Sequence, residues 1–146
     1  MNFSKACEYG MRASLYVAAD GDRTFIPIKE IGEALGISHH FLTKVLQDLT
    51  RAGIMKSLRG PSGGVCLASG PETIFLYDIV IAIDGKQRFE GCVLGLPGCG
   101  DLVPCPLHSY WGKIREEIQH KFKTVSLAVL ANRVREDGLR ISSVLN

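Results

Sequence analysis

Apolar residues recur at helical spacing through most of the chain, and a short alternating stretch interrupts them near residue 60. Alternation between apolar and polar positions predicts two short strands, at 54–58 and 65–68. Helical spacing predicts six helices, at about 4–19, 28–35, 38–52, 76–84, 107–125 and 126–135. The fold class is therefore mainly α with a small β hairpin.

The second and third predicted helices are joined by a tight turn that contains glycine, which is typical of a helix-turn-helix. The later helix begins at Ser38, a residue suited to an N-terminal cap. Its predicted outer face carries His39, His40, Thr43 and Lys44, which donate or accept hydrogen bonds and include no acid. Such side chains suit contacts with base edges in a DNA major groove, whereas an ordinary helical hairpin with a polar face is the alternative.

The sequence Arg-Gly-Pro-Ser-Gly-Gly occupies positions 59–64, between the two predicted strands. Glycine and proline permit the tight turn that a hairpin needs. A helix-turn-helix followed directly by a glycine-rich hairpin predicts a winged helix. Arg59 at the tip of this wing is placed to enter a minor groove, where narrow A-T tracts concentrate negative potential; a solvated arginine is the alternative.

The long predicted helix at 107–125 carries apolar residues at alternating three- and four-residue steps, a seam typical of coiled coils. The seam consists of Leu107, Trp111, Ile114, Ile118, Phe122 and Val125. Burying it requires a partner helix, either from the same chain or from a second copy. Because helix-turn-helix proteins commonly pair to bind two half-sites, we favour a homodimer joined through this dimerisation helix.

Three cysteines and one histidine lie within 17 residues of each other, as Cys92, Cys99, Cys105 and His108. Soft thiolates combined with one imidazole suit an iron-sulfur cluster or zinc. The intervals of six, five and two residues between these side chains match common zinc-finger patterns poorly. The segment therefore predicts a metal centre, with an iron-sulfur cluster favoured over structural zinc.

Composition limits the classes of function that remain. The chain has 146 residues, of which 46% are hydrophobic and 22% charged, and a formal net charge of +2. Its basic excess is concentrated in 38–64, where Lys44, Arg51, Lys56 and Arg59 face a single acid, Asp48. This distribution agrees with nucleic-acid contact but does not establish it. The sequence has no Ser-His-Asp set, phosphate loop or dinucleotide fingerprint, so we do not expect an enzyme.

Charged residues near the N-terminus argue against a signal peptide, and the sequence has no apolar stretch long enough to span a membrane. We therefore expect a cytoplasmic protein with no membrane partner. In that reducing compartment, cysteines are metal ligands or free thiols more often than disulfides. Cys7 and Cys66 lie outside the cysteine-rich segment, and we expect them to pack as small core residues. A supporting role near the metal centre is the alternative for Cys7, which neighbours Glu8.

The wing sequence and the C-x6-C-x5-C-P-L-H spacing resemble those of iron-sulfur transcriptional regulators of the IscR and NsrR type. The resemblance spans nearly the whole chain, beginning with the N-terminal run S-K-A-C-E-Y-G-M-R-A. It implies a bacterial homodimeric winged-helix regulator, for instance a repressor, with a winged helix-turn-helix domain at 1–84. It also implies a cluster-binding loop at 85–108, and a dimerisation helix followed by a C-terminal helix at 109–146.

The resemblance also implies the ligands. Cys92, Cys99 and Cys105 match the three thiolate ligands of the family, and His108 matches the fourth ligand of IscR-like members. NsrR-like members instead use an acidic residue near the N-terminus of the partner subunit, the position that Glu8 occupies here. The first pattern implies a 2Fe-2S cluster, which we favour, and the second is associated with 4Fe-4S as well. The interval of six residues after Cys92 is longer than the four or five of these relatives.

By the same resemblance, we expect Ser38, His39, His40, Thr43 and Lys44 to contact bases or phosphates. Arg59 and the backbone of Ser62 and Gly63 contact the minor groove or phosphates. The predicted function is control of operator affinity by a cluster that senses cluster supply, redox state or nitric oxide. Two alternatives are a small redox iron-sulfur protein and a DNA-binding protein stabilised by zinc.

Overall fold

The computed structural model describes residues 2–143, and within this range it contains six α-helices and one antiparallel pair of strands. The predicted order of elements is confirmed. Two short 3-10 helices that were not predicted, Pro71–Thr73 and Lys86–Phe89, precede and follow the fourth helix. The main elements are α1 (Lys5–Asp20), α2 (Ile28–Leu35), α3 (His39–Arg51), β1 (Met55–Leu58), β2 (Gly64–Leu67), α4 (Leu76–Ile83), α5 (His108–Thr124) and α6 (Leu127–Asp137).

Local signals in the sequence set the helix boundaries. The hydroxyl of Ser4 accepts a hydrogen bond from the backbone N–H of Cys7 at 3.0 Å, and it caps the N-terminus of α1. Ser38 caps α3 in the same way through the N–H of Phe41. Gly36 adopts the left-handed conformation that ends α2, at the turn into α3. The predicted helix-turn-helix is thus present, with the cap predicted at Ser38.

Helix α1 lies at the centre of the hydrophobic core and packs against α3, α4 and α6. Its buried face includes Ala13 and Val17, and the apolar stripe of α3 meets it with Leu42, Leu46 and Leu49. Leu127 and Ala131 on α6 also pack in this core. Helix α3 is therefore held by its buried side, which leaves its polar side accessible.

The wing is attached to the helix-turn-helix by a third extended segment. Strands β1 and β2 pair from Met55 opposite Leu67 to Leu58 opposite Gly64, about one residue away from the predicted bounds. Ile26 and Val65 exchange two backbone hydrogen bonds of 2.9 Å, which tie β2 to the residues just before α2. The hairpin is consequently held in a fixed position beside the first helix of the motif.

The apolar seam of α5 is divided between two environments. Near its C-terminal end, Ile118 and Phe122 pack against this chain's own core. The N-terminal end instead exposes Leu107 and Ile114, with 42% and 49% of their surface accessible. The same-chain alternative thus holds for the C-terminal part of the seam, because α5 packs on α4 there, and the homodimer stays a prediction for the exposed N-terminal part.

The carboxylate of Asp84 joins the end of α4 to the start of α1. It accepts a hydrogen bond from the backbone N–H of Ser4 at 3.0 Å and a second from the hydroxyl of Ser4. Its side chain is only 4% exposed and forms an ion pair with Arg88, whose Nε lies 3.1 Å away. Arg88 also donates to the carbonyl of Asn2 at 2.7 Å. The N-terminus of α1 is thus fastened to the segment that leads to Cys92.

Replacing Gly64 with alanine tests how tightly the wing is attached. Gly64 has a φ of +148°, and a Cβ there would overlap the carbonyl group of Ile26. Gly53 also has a positive φ, +76°, but no atom lies within 4 Å of the Cβ position, so Gly53→Ala is the matched control.

We expect Gly53→Ala to lower the free energy of unfolding by about 1–2 kcal/mol through backbone strain alone. Gly64→Ala should cost a further 1–3 kcal/mol or so, because the overlap also displaces the backbone at Ile26. Chemical denaturation of both variants measures the difference, and equal losses would show that the bridge to the wing is not tight.

Candidate metal centre and nucleic-acid interface

Consecutive turns fold the segment between the second 3-10 helix and α5. The N–H of Gly95 donates to the carbonyl of Cys92 at 3.0 Å, and the N–H of His108 donates to the carbonyl of Cys105 at 3.0 Å. Gly95 and Gly98 both have a φ of +72°, a conformation that glycine adopts without strain. These turns bring cysteines that are distant in sequence to one place.

The three sulfur atoms of Cys92, Cys99 and Cys105 lie within 4.8 Å of one another. The sulfurs of Cys92 and Cys105 are 3.5 Å apart, and the sulfur of Cys99 is 3.5 Å from Nδ1 of His108. These side chains line one cavity of about 630 Å³. Two ligands at about 2.3 Å from one tetrahedral metal lie about 3.8 Å apart, so the donors fit a thiolate-bound metal with small adjustments.

Backbone N–H groups at this site favour the thiolate of Cys92. Hydrogen bonds from the N–H of Leu96 and then of Leu94 outweigh burial and lower the pKa of Cys92 to about 7. At Cys99 a hydrogen bond from the backbone N–H of Cys105 also lowers the pKa of the thiol. Burial and the neighbouring sulfurs of Cys92 and Cys105 outweigh it, so the pKa of Cys99 is raised overall. Cys92 is therefore the thiol best prepared to bind a metal near neutral pH.

The two candidates for a fourth ligand lie in different surroundings. His108 begins α5, and its second nitrogen, Nε2, lies 3.1 Å from a carboxylate oxygen of Asp101. Glu8 is paired with Lys5 at 2.9 Å in the first turn of α1, and it is not among the residues that line the cavity within one protomer. One chain thus brings together four of the five predicted ligand residues.

The two remaining cysteines lie elsewhere. Cys7 is fully buried, and burial together with the nearby Asp84 carboxylate raises the pKa of its thiol to about 12. This agrees with the core position predicted for it. The core position predicted for Cys66 is wrong, because Cys66 lies on β2 of the two-stranded wing, opposite Lys56, and is only partly buried. Neither is among the residues that line the cavity.

A groove of about 810 Å³ lies between α3, the wing and the start of α2. Of the predicted DNA-binding residues, it is lined by His39, Thr43, Arg59 and Gly63. Thr43 donates its hydroxyl to the carbonyl of His39 at 2.8 Å, and Gly63 donates its N–H to the carbonyl of Gly60 at 3.0 Å.

The other predicted DNA-binding residues, Ser38, His40, Lys44 and Ser62, are exposed and do not line this groove. Ser38 lies at the start of α3, where it acts as the cap.

Two further basic residues, Lys29 and Arg51, line the same groove; the sequence analysis counted Arg51 only in the basic segment and did not consider Lys29. Arg51 lies about two helical turns after Thr43, so helical spacing was sufficient to place it near the predicted contacts. Its guanidinium is paired with Asp48. Lys29 has no such signal. It reaches the groove because the Ile26–Val65 bridge brings the start of α2 beside the wing.

A helix-turn-helix with a polar outer helix, followed by a tethered glycine-rich hairpin, defines the winged helix-turn-helix class of DNA-binding proteins. The chain belongs to the Rrf2 family, described as iron-dependent transcriptional regulators, whose profile matches residues 3–133. It is 31% identical over 130 residues to protein rrf2 of Nitratidesulfovibrio vulgaris, an alignment that covers 89% of this chain and 87% of that protein.

Solved structures agree with this assignment. CymR, the global cysteine regulator of B. subtilis, superposes with a TM-score of 0.78 at 25% identity, covering 90% of this chain and 97% of that one. IscR of T. potens superposes with a TM-score of 0.74 at 26% identity, covering 96% of this chain and 93% of that one. The predicted family, the winged-helix fold and the function as a transcriptional regulator are confirmed, and these relatives are regulators rather than enzymes.

The relationship to IscR and the group of three cysteines together support an iron-sulfur cluster. Within residues 2–143, no helix combines the length and apolar character needed to cross a membrane.

Alkylation of the metal-free protein tests the thiol assignments. Because the pKa of Cys92 is lowered to about 7, its thiolate fraction and its reaction rate with iodoacetamide should reach half their maximum near pH 7 and level off above it. Cys7 should stay unlabelled up to pH 9, because it is buried and its pKa is raised to about 12.

Peptide mass spectrometry follows each cysteine separately, and the guanidinium-unfolded protein, in which Cys7 reacts freely, is the control. Labelling of Cys7 as fast as Cys92 in the folded protein would contradict the assignment.

Proposed function

We propose that this regulator binds a 2Fe-2S cluster through Cys92, Cys99, Cys105 and His108, and that the cluster controls its affinity for operator DNA. The observation that carries the proposal is the convergence of three sulfurs and one ring nitrogen on one cavity. Three thiolates and one imidazole give four protein ligands, which is the number that two iron ions need when each takes two. When bound, the cluster supplies a one-electron redox group that oxidants or nitric oxide can attack.

The residues of the chain supply the switch. Between the second 3-10 helix and α5, the described chain has turns but no helix or strand, so four ligands would restrict a segment with little order of its own. Arg115 on α5 donates to the carbonyl of Gly91 at 2.6 Å, and Trp111 lines the metal cavity. Ordering of the loop therefore reaches α5 directly. This is switching between ordered and disordered states, biased by a ligand that binds them unequally.

Anaerobic purification followed by metal and sulfide analysis tests the cluster. We expect two iron and two acid-labile sulfide per chain, with a Mössbauer spectrum of a 2Fe-2S centre. Cys92→Ser, Cys99→Ser and Cys105→Ser should each lose the cluster, because a thiolate ligand is removed. Cys66→Ser is the matched control and should retain it.

Other compositions separate the alternatives. A colourless protein with stoichiometric zinc would overturn the proposal in favour of structural zinc. Four iron and four sulfide would replace the proposed cluster type and favour Glu8 of a partner subunit as the fourth ligand. A redox-active cluster in a protein with no affinity for DNA would favour a simple redox protein.

The proposed assembly is a homodimer formed through the free end of α5. Leu107, Tyr110 and Ile114 are exposed there on one end of the helix, with Tyr110 70% accessible. Exposed apolar side chains clustered in this way favour an interface with a partner. Sedimentation equilibrium should give twice the chain mass of 15.9 kDa. A monomer at micromolar concentration would overturn this part of the proposal.

The proposed DNA-binding surface consists of α3 and the wing. The proposed location of the protein is the cytoplasm of a bacterium. Its contact residues are Ser38, His39, His40, Thr43, Lys44, Arg59, Ser62 and Gly63. The groove between α3 and the wing supports this assignment because predicted contacts from both elements line it. Lys29 and Arg51 extend the same surface with two more positive charges.

The variant Arg59→Ala tests the wing contact. Loss of a base or phosphate contact should weaken specific binding about five- to hundredfold, and the salt slope should fall by about one if the contact is to phosphate. Arg133→Ala is the matched control, because Arg133 lies on α6 outside the groove and pairs only loosely with Asp137, at 4.0 Å. Fluorescence anisotropy at several salt concentrations measures both quantities. Unchanged affinity and slope for Arg59→Ala would refute the wing assignment.

A further inference from the structure

The imidazole of His108 is held between two groups that use its two different nitrogens. Nδ1 faces the sulfur of Cys99 at 3.5 Å, and Nε2 lies 3.1 Å from a carboxylate oxygen of Asp101. Asp101 follows Cys99 by two residues, within the turn in which Val103 donates its N–H to the carbonyl of Gly100. The turn that carries one thiolate therefore also brings a carboxylate to the far side of the histidine ring.

We infer that Asp101 is a positioning residue, which orients His108 so that Nδ1 is the nitrogen that binds the cluster. This inference rests on the proposed function. A neutral imidazole carries one N–H, and only the other nitrogen has a lone pair for a metal. A carboxylate that accepts a hydrogen bond from Nε2–H fixes the tautomer with the lone pair on Nδ1, and it makes that nitrogen a better donor.

The burial of the two side chains sets the size of the effect. The side chain of His108 is 24% exposed, whereas that of Asp101 is fully exposed. A solvated carboxylate interacts more weakly than a buried one, because water competes for its oxygens. Groups behind a metal ligand commonly change metal affinity by 10- to 100-fold, so we expect an effect of about tenfold, at the low end of this range.

The first measurement asks which nitrogen binds. The protein is produced with histidine that carries ¹⁵N only at Nδ1 or only at Nε2, and the reduced cluster is studied by pulsed electron paramagnetic resonance. We expect the strong coupling of a directly bound nitrogen from Nδ1. Strong coupling from Nε2 would overturn the inference.

The second measurement compares three variants of the cluster-loaded protein. Asp101→Ala removes the acceptor, so the cluster should be lost to a chelator about tenfold faster under anaerobic conditions. Asp101→Asn keeps a carbonyl acceptor and should restore most of the lifetime and the Nδ1 coupling. Glu117→Ala is the matched control, because Glu117 is another exposed acid near the site, on α5, that does not line the cavity, and it should leave the lifetime unchanged.

The outcomes separate this inference from the proposed function. If Asp101→Ala leaves both the lifetime and the nitrogen coupling unchanged, Asp101 does not position His108 and only the inference fails. If the protein assembles a cluster with no bound nitrogen, the inference fails and so does the assignment of His108 as a ligand. If it assembles no iron-sulfur cluster, the proposed function fails and the inference with it.

Discussion

The buried carboxylate of Asp84 links three parts of the chain that are far apart in sequence. Asp84 follows the last residue of α4, and its carboxylate accepts two hydrogen bonds from Ser4 at the start of α1. The same carboxylate pairs with Arg88 in the 3-10 helix that precedes the cysteines. A buried carboxylate is tolerated only when its oxygens have polar or charged partners. Here the partners are the backbone N–H and hydroxyl of Ser4 and the guanidinium of Arg88. This carboxylate and the hydrogen bond from Arg88 to the carbonyl of Asn2 together hold α1 beside the segment before Cys92.

This constraint gives the cysteine loop a fixed base. Phe89, the last residue of that 3-10 helix, is 2% exposed and packs among the rings of Phe3, Tyr77 and Phe122. Beyond it, the loop presents exposed apolar side chains such as Leu102, which is 97% accessible. The chain thus passes abruptly from a packed core to a segment with little packing of its own. A metal centre is well suited to order such a segment, because the free energy of ligand binding then becomes free energy of folding.

Local patterns were sufficient to predict most of the fold and part of the site. The α3 stripe of Leu42, Leu46 and Leu49 and the cap at Ser38 identified the helix-turn-helix, and glycines at 60, 63 and 64 identified the wing. These predictions succeeded because helical period, capping and turn conformation act over a few residues. The grouping of the cysteines was also predictable, since all three lie on one short loop.

Features that depend on contacts across the chain were not predictable in the same way. The hydrogen bond between Ser4 and Asp84 joins residues that are 80 positions apart, and no local sequence pattern predicts it. The divided seam of α5 was predicted as one surface, because periodicity does not distinguish a partner helix from the chain's own α4. The division of the chain at 84 and 108 stays a prediction.

The central claim of this account is that cluster binding changes the affinity of the winged helix for DNA. The most direct test selects a binding site from a random double-stranded library with the cluster-loaded protein. It then measures the dissociation constant for that site before and after anaerobic removal of the cluster. Couplings between two sites are typically about 1–3 kcal/mol, so the account predicts a change of about 5- to 150-fold at constant salt. Equal dissociation constants in the two states would contradict it.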